Sequence, residues 1–347
     1  MNEKQKKVMV GMSGGIDSSV TAYMLQQEGY EVEGIYLKLH NRTDGYHEGN
    51  LGYIDDVAKF LDIKYHILDL ANEFSKEVYD YFVDSYLTGT TPNPCVKCNK
   101  QIKFGSMLKF AQEHGADFLA TGHYAKTDGK FFYEADDKTK DQSYFLSQVD
   151  KEALKYMIFP LSNLKKENII KLGANLDVTY KKITEKNESQ EICFVENVYT
   201  DIIKKHANID IEGDVLDQNG NVVGKHKGYA HYTIGKRKGF TVKGAQEPHF
   251  VLKLNPKDNT IIVGKKPALE VNEVVGEELN MYIDDKKFSC GVKLRYRSNT
   301  ILCDVEIIND KAIIKLKEPA FGVASGQLAV FYDENRVIGS AFIKSAK

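Results

Sequence analysis

The sequence predicts an α/β domain built on a parallel β-sheet, followed by a small central β-rich domain and a C-terminal β-barrel. In the first 125 residues, strand-like and helix-like segments alternate, and a glycine- and serine-rich loop separates the first strand from the first helix. After residue 200, only short strand-like runs divided by turn signals follow. We therefore expect three domains, in the ranges 1–200, 201–270 and 271–347.

The composition is that of a globular protein. The chain has 347 residues, of which 42% are apolar and 28% charged, a length that suits two or three domains. Its apolar stretches are only as long as a strand, and the N-terminus lacks the apolar core of a signal peptide, so we expect a cytoplasmic protein with no membrane partner. The net charge of −2 does not indicate a nucleic-acid partner, and such an indication must come from local basic clusters.

The first half of the chain supplies the sheet and its helices. Apolar patterning predicts strands at 8–12, 32–39, 65–70 and 117–124, and helices at 18–28, 54–61, 73–86 and 102–113. Strands that alternate with helices favour a parallel sheet, which binds ligands at the carboxyl ends of its strands. In the C-terminal region, runs at 292–296, 301–308, 312–316 and 327–332 read as strands of a small barrel or sandwich.

A phosphate-binding loop is predicted between the first strand and the first helix. Segment 11–19 reads GMSGGIDSS, and its small residues let backbone N–H groups approach a phosphate at the positive end of the helix. The lysine of a Walker A loop is missing, which disfavours kinases and GTPases. Asp17 is a candidate either for holding magnesium or for fixing the loop. The expected nucleotide contacts in this loop are Gly11, Met12, Ser13, Gly14, Gly15, Ile16, Asp17 and Ser18.

The loop resembles that of the PP-loop ATP pyrophosphatases, which cleave ATP between the α and β phosphates and adenylate a carbonyl oxygen. Further motifs are TPNPCVKCN at 91–99 with IKF at 102–104, ATGHY at 120–124, KDQSYFL at 140–146, SQEICF at 189–194 and HYTIGKRKG at 231–239. In this order, from about residue 7 to residue 340, the chain resembles the tRNA-specific 2-thiouridylase family. The resemblance implies ATP and Mg²⁺ as cofactors. It also implies adenylation at C2 of the wobble uridine (U34) of tRNA, then sulfur transfer to give 2-thiouridine, AMP and pyrophosphate.

Cys98 and Cys193 are the expected catalytic residues. The resemblance implies that Cys193 carries a persulfide and that Cys98 is the nucleophile. The chemistry agrees, because sulfur must arrive as a thiolate or persulfide, and a second thiol can take up the carrier sulfur as a disulfide. Lys97, Lys100 and the start of the helix predicted at 102 should favour the Cys98 thiolate.

Cys95 leaves a second mechanism open. Many family members have aspartate at this position, whereas this chain has a C-x-x-C pair. Cys95, Cys98 and Cys193 could instead ligate an iron–sulfur cluster with one iron open for sulfide. Zinc is disfavoured because no second pair or histidine partner follows at finger-like spacing. Cys290 and Cys303 lie in strand-like runs and are expected to be packing residues.

The resemblance also implies contacts to adenine and to RNA. Leu37 should pack on adenine, and Gly122 should touch the nucleotide. A basic run at 225–243, interleaved with aromatics, should grip phosphates. The expected partners are tRNAs for lysine, glutamate and glutamine and an upstream persulfide donor protein. The residues expected to contact tRNA are Asn93, Pro94 and Cys95 around the flipped base, and His123, Lys140, Asp141, Gln142, Arg295, Tyr296 and Gln327.

Two departures and two rival functions accompany this prediction. Segment 38–41 lacks the asparagine–tryptophan pair of many relatives, and the loop at 40–50 is glycine-rich. A PP-loop synthetase that forms an amide on a small acid would explain the glycine loop, but it would leave Cys98 and Cys193 without a role. A non-catalytic RNA-binding protein is disfavoured because the loop and both cysteines are intact.

Overall fold

The computed structural model describes residues 5–41, 43–184 and 192–347. The described residues fall into two compact units. The first lies within Met1–Val78, Cys95–Gln190 and Asn335–Ile338, and the second within Tyr79–Pro94, Glu191–Glu334 and Gly339–Lys347. In this part of the chain, no helix is long and apolar enough to cross a membrane.

The strands are numbered in chain order. They are β1 (Lys7–Gly11), β2 (Glu31–Lys38), β3 (Tyr65–Asp69), β4 (Phe118–Thr121), β5 (Ala125–Thr127), β6 (Phe132–Glu134), β7 (Met157–Ile158), β8 (Gly213–Leu216), β9 (Val222–His226), β10 (Phe250–Asn255), β11 (Thr260–Gly264), β12 (Glu270–Met281), β13 (Lys287–Lys293), β14 (Ile301–Ile308), β15 (Lys311–Phe321), β16 (Leu328–Asp333) and β17 (Arg336–Ala346).

The helices are numbered in the same way. They are α1 (Ile16–Gln27), α2 (Tyr46–Leu61), α3 (Ala71–Phe74), α4 (Asp80–Leu87), α5 (Pro94–Lys97), α6 (Met107–Glu113), α7 (Ser143–Leu146), α8 (Lys166–Leu176), α9 (Val178–Thr184) and α10 (Tyr199–Ile203). Segments Ser75–Tyr79 and Cys98–Ser106 are π-helical. Short 3₁₀ turns lie at Lys151–Tyr156, Pro160–Asn163, Tyr229–His231 and Lys266–Leu269.

The first unit contains a parallel sheet with the strand order β3-β2-β1-β4-β7. The central strand β1 is apolar at three successive positions, Val8, Met9 and Val10, and all three are fully buried. A continuous apolar run is typical of a parallel strand that is covered on both faces. The structure therefore confirms the predicted parallel sheet.

Helices α1, α2, α8 and α9 enclose one apolar core of this unit, around residues such as Val20, Ile54, Ile169 and Tyr180. Helix α2 begins eight residues before the predicted helix at 54–61, because its first two turns bury polar side chains instead of apolar ones. These are His47 and Asn50, which continue the helical spacing of Ile54. A search for apolar periodicity does not register such a turn.

The second unit begins with an apolar cluster that joins α4 to α10. Phe82 and Val83 of α4 pack with Ile202 and Ile203 of α10. Residues 79–94, expected in the first domain, thus belong with the later part of the chain. The expected domain boundaries at 200 and 270 themselves stay predictions.

Two β structures make up the rest of the second unit. A small mixed sheet has the order β10-β11-β8-β9. The C-terminal strands follow the order β12-β15-β14-β13-β16-β17, and pairing between β12 and β17 closes them into a six-stranded barrel. The predicted central β-rich domain and C-terminal barrel are confirmed.

Candidate functional site

The loop after β1 depends on a glycine at position 14 and on two serine hydroxyls. Gly14 has a left-handed backbone with φ of +72°, and a Cβ there would lie 2.9 Å from the Asn50 carbonyl oxygen, so this position requires glycine. The Ser18 and Ser19 hydroxyls each donate to the Gly15 carbonyl oxygen at 3.0 Å. Gly15 precedes α1 and provides no side-chain cap, which leaves the first N–H groups of the helix for a ligand.

Gly122, at the end of β4, lies against the first turn of α1. A Cβ at this position would come within 2.9 Å of the Asp17 Cβ and 3.0 Å of the Ser18 nitrogen. The sheet order places β4 beside β1, so the carboxyl ends of both strands border the loop. The structure thus brings Gly122 next to the phosphate loop, and its contact with a nucleotide stays a prediction.

Asp17 is held by Lys166, a residue that the sequence analysis missed. The Lys166 ammonium donates to both Asp17 carboxylate oxygens at 2.8 Å, and the Tyr124 hydroxyl donates to one of them at 2.8 Å. The Lys166 side chain is only 9% exposed. These contacts agree with the loop-fixing role considered for Asp17, and the choice between that role and magnesium binding stays a prediction. No sequence signal marks Lys166, because Lys165 and Lys166 before a helix read as an ordinary charged surface.

Cys98 is the first residue of the π-helical segment Cys98–Ser106 and is buried. The expectation that it sits just before a helix is wrong. Helix α5 already begins at Pro94, a residue suited to a first helical turn, so Cys98 lies one turn inside helical structure and not at a positive helix end. π-helical turns are frequent at functional sites. Cys95 is half-buried and Cys193 is exposed.

Asn99, beside Cys98, ties the cysteine segment to the KDQSYFL motif. Its side-chain nitrogen donates to the Phe145 carbonyl oxygen at 3.0 Å. Its side-chain oxygen is buried and has no hydrogen-bond partner among the described residues. An unmatched buried acceptor is uncommon, so Asn99 adds a polar atom to the surroundings of the cysteine that the sequence analysis did not consider.

His123 is buried between Thr121 and Lys103. Its Nδ1 lies 2.7 Å from the Thr121 hydroxyl, and its Nε2 lies 3.4 Å from the Lys103 ammonium. Burial, with the Lys103 charge, holds the pKa of His123 well below its usual value. The imidazole is therefore neutral at pH 7. Its expected contact with tRNA stays a prediction.

In the KDQ segment, the side chains of Asp141 and Gln142 make internal hydrogen bonds. The buried Asp141 carboxylate accepts from the backbone nitrogen of Ala135 at 2.9 Å and from the Ser143 hydroxyl at 2.8 Å. Burial raises the pKa of this carboxyl group. Gln142 accepts from the Tyr124 nitrogen at 3.0 Å. Lys140 is half-buried, and the tRNA contacts expected of all three stay predictions.

In the second unit, Gln327 holds the segment that precedes the cysteines. Its side-chain nitrogen donates to the carbonyl oxygens of Thr91 and Pro92, both at 3.1 Å. Asn93 is buried, and its backbone nitrogen donates to the Tyr81 hydroxyl at 3.3 Å. Gln327 therefore acts on the shape of the TPNP segment, a role that no local sequence pattern indicates.

The other expected RNA contacts of this unit lie near the loop after β13. The exposed Arg295 side chain donates to the carbonyl oxygens of Ile234 and Gly322, and Tyr296 is half-buried. Leu37, in the first unit, is half-buried at the carboxyl end of β2, where it pairs with Leu68 of β3. That position lies at the ligand-binding edge expected of a parallel sheet.

Comparisons with known proteins cover nearly the whole chain. Residues 6–197 match the tRNA methyl transferase HUP domain, residues 200–265 the tRNA methyl transferase PRC-barrel domain, and residues 271–343 the aminomethyltransferase β-barrel domain. A tRNA-specific 2-thiouridylase of Aliarcobacter butzleri is 82% identical over 343 residues, which is 99% of each chain. The chain belongs to the tRNA-specific 2-thiouridylase family.

Two further 2-thiouridylases give the same result. The one from Sulfurimonas denitrificans is 55% identical and is covered over 99% of its length by 98% of this chain. The one from Campylobacter jejuni is 53% identical and is covered completely by 97% of this chain. The resemblance drawn from the motifs is confirmed.

The 2-thiouridylase motif at 189–194 is described only in part. Ser189, Gln190 and Glu191 lie outside the described residues, whereas Cys193 is included. Among the residues that the structure does describe, no group of three or more His, Cys, Asp or Glu side chains is arranged to hold a metal ion. Cys95 and Cys98 lie in the first unit and Cys193 in the second, and an iron–sulfur cluster held by these three cysteines stays a prediction.

Proposed function

We propose that the chain uses ATP to adenylate the C2 oxygen of the wobble uridine in tRNA and then replaces that oxygen with sulfur. The observation that carries the proposal is the shape of the SGGIDSS loop, whose glycine at 14 and uncapped helix start leave room and N–H donors for a phosphate. In the same compact unit, Cys98 begins a π-helical turn. A phosphate loop and a thiol are the two parts that activation followed by thiolation requires.

In the first step, the uridine O2 attacks the α-phosphorus of ATP. The bond from that phosphorus to the β-bridging oxygen breaks, and pyrophosphate leaves with the electron pair. The loop N–H groups would stabilise the charge on the phosphates as it shifts. Asp17 supplies a carboxylate, the ligand type that Mg²⁺ prefers, and Mg²⁺ would neutralise phosphate charge when bound there.

In the second step, the terminal sulfur of a persulfide on Cys193 attacks C2, and AMP leaves. The Cys98 thiolate then attacks the inner sulfur of Cys193. The S–S bond to the transferred sulfur breaks, 2-thiouridine is released, and a Cys98–Cys193 disulfide remains for reduction by an external thiol. The exposure of Cys193 suits a residue that an upstream persulfide donor protein must reach.

The tRNA would be held by residues of both units, as the family resemblance implies. In the basic run at 225–243, some cations serve the protein itself: Lys225 pairs with Asp214 at 2.8 Å, and Lys236 donates to the His231 carbonyl oxygen at 2.7 Å. The other exposed cations of the run are better placed for RNA phosphates, and they are Lys227, Arg237, Lys238 and Lys243. We propose tRNAs for lysine, glutamate and glutamine as substrates and the cytoplasm, where charged tRNA and ATP occur, as the location.

The deciding experiment is mass spectrometry of nucleosides from tRNA incubated with the protein, Mg-ATP and a persulfide donor, beside a reaction without ATP. We expect 2-thiouridine only when ATP is present. Folded protein that binds tRNA but forms no 2-thiouridine would contradict the proposal. Pyrophosphate exchange that depended on a small carboxylic acid instead of tRNA would favour an amide synthetase.

The iron–sulfur alternative has its own test. Protein purified without oxygen is assayed for iron and sulfide, and thiolation is measured before and after treatment with a chelator. The persulfide route predicts iron well below one atom per chain and no effect of chelation. Stoichiometric iron together with activity lost on chelation would replace it with the cluster route.

A further inference from the structure

Lys166 is mostly buried, and both its backbone and its side chain make hydrogen bonds to carboxylates. It is the first residue of α8, and its backbone nitrogen donates to the Asp137 carboxylate at 3.0 Å. Its side chain then extends to Asp17, in the first turn of α1, 149 positions away in sequence. Both the backbone and the ammonium of Lys166 are thus fixed by carboxylates.

The Lys166 ammonium lies at the start of α1, where the helix itself contributes positive charge. The start of α1 already carries partial positive charge from its free N–H groups. A buried lysine is costly unless it is paired, and one carboxylate matches it here. The ammonium and the first N–H groups of α1 lie together beside the phosphate loop. Both are donors that phosphate oxygens accept.

We propose that Lys166 is a catalytic residue that moves from Asp17 to the pyrophosphate portion of ATP. When the α–β bond breaks, the bridging oxygen takes the electron pair, and the ammonium stabilises that developing charge. The Asp17 carboxylate is released at the same time and becomes available to magnesium. In the absence of nucleotide, Asp17 keeps the ammonium paired. This inference rests on the proposed ATP-dependent reaction.

A direct test measures the binding of inorganic pyrophosphate by calorimetry, without magnesium, to the full chain and its variants. Lys166→Met should weaken pyrophosphate binding at least about tenfold, and Lys166→Arg should restore part of it. Lys165→Met is the matched control, because Lys165 is the exposed neighbour and should leave binding unchanged. Thermal unfolding and tRNA binding verify that each variant is folded.

Asp17→Asn separates a catalytic lysine from a merely structural ion pair. If Asp17 competes with phosphate for the ammonium, this variant should bind metal-free pyrophosphate about threefold more tightly, or better. A structural pair predicts the opposite, a less stable loop with equal or weaker binding. Equal pyrophosphate affinity in Lys166→Met and the unchanged chain would overturn the inference.

Steady-state kinetics of pyrophosphate release provide a second test of the role of Lys166. Lys166→Met should lower kcat for tRNA-dependent pyrophosphate release by about a hundredfold, with a smaller change in the KM for tRNA. Equal kcat values in this variant and the unchanged chain would also overturn the inference. If the unchanged chain bound pyrophosphate but released none with tRNA and ATP, the proposed function would fail instead, so the two failures are distinguishable.

Discussion

Gly122 lies so close to Asp17 that a single added carbon would collide with it. The ideal Cβ of residue 122 falls 2.9 Å from both the Cβ and the backbone carbon of Asp17. The Ser18 nitrogen follows at 3.0 Å, so two of the three nearest atoms belong to the α1 backbone, which cannot move aside as the end of a long side chain can. The end of β4 and the phosphate loop are therefore positioned by the same contact.

Gly122→Ala should consequently damage both stability and nucleotide use. We expect a loss of about 1–3 kcal/mol in the free energy of unfolding, because overpacking forces the helix start to shift. The KM for ATP should rise as the loop N–H groups lose alignment. Urea unfolding and ATP-dependent thiolation measure the two effects. Gly49→Ala is the control, since nothing lies within 4 Å of its Cβ, and it should be neutral or slightly stabilising.

Replacing each candidate catalytic cysteine should block a different stage of the reaction. Cys98→Ser should abolish 2-thiouridine but still release pyrophosphate with tRNA, because adenylation needs no thiol. Cys193→Ser should lose the persulfide detected by mass spectrometry of the intact protein. Cys290→Ala, in the barrel, should keep thiolation and lose only stability, about 1–2 kcal/mol. Full thiolation by Cys98→Ser or Cys193→Ser would refute the assigned roles.

Cys95→Asp distinguishes the persulfide route from a cluster. The family resemblance implies aspartate at this position in many relatives, and the persulfide route makes no use of the Cys95 thiol. We expect thiolation within about threefold of the unchanged chain, since no bond to sulfur is made or broken at this residue. The assay is the nucleoside measurement, run beside an iron determination. A variant that lost both iron and activity would speak for the cluster.

The buried neutral His123 should make stability depend on pH. Its pKa is lower in the folded state than the usual 6.5, so the unfolded chain takes up the proton first as pH falls. The stability that His123 contributes is complete above pH 6.5 and is lost between that value and its lower folded pKa. The slope reaches at most about 1.4 kcal/mol per pH unit.

The pH prediction is tested with His123→Gln. Unfolding free energies at pH 5 and pH 7 should differ less in this variant than in the unchanged chain. Comparison of the two proteins is needed because burial also lowers the pKa values of His226 and His231. Between pH 7 and pH 8 both proteins should have the same slope. If the unfolding free energies of the variant and the unchanged chain also fell equally steeply below pH 6.5, His123 would not be the group responsible.

Gln327 is expected to affect the KM for tRNA through the TPNP segment, without contacting the reacting atoms. Gln327→Ala removes two hydrogen bonds to the 91–92 backbone, which should cost about 1–3 kcal/mol and loosen the TPNP segment. The KM for tRNA should rise, whereas ATP binding measured without tRNA should not change. Gln246→Ala, at an exposed position, is the control. Unaltered tRNA kinetics in a destabilised Gln327→Ala would limit Gln327 to a structural role.

Much of the fold followed from patterns that are local in sequence. Apolar runs that alternate with helices predicted the parallel sheet. This succeeded because a strand buried on both faces, such as Val8–Val10, is apolar at successive positions. Short runs between turn signals predicted the barrel. Helix α2 was predicted eight residues too short because its first turns bury His47 and Asn50, and polarity hides a buried face from any hydrophobic pattern.

The sequence by itself determined the family, and it marked the loop at 11–19 and the cysteines as candidate site residues, because each depends on residue types at fixed spacing. Only the tertiary structure decided that Lys166 meets Asp17, that Cys98 lies inside a helical segment, and that residues 79–94 belong with the later part of the chain. The physical reason is the same in the first and third cases. An ion pair across 149 positions and the packing of Phe82 on Ile203 arise from chain folding and leave no periodic trace in either segment.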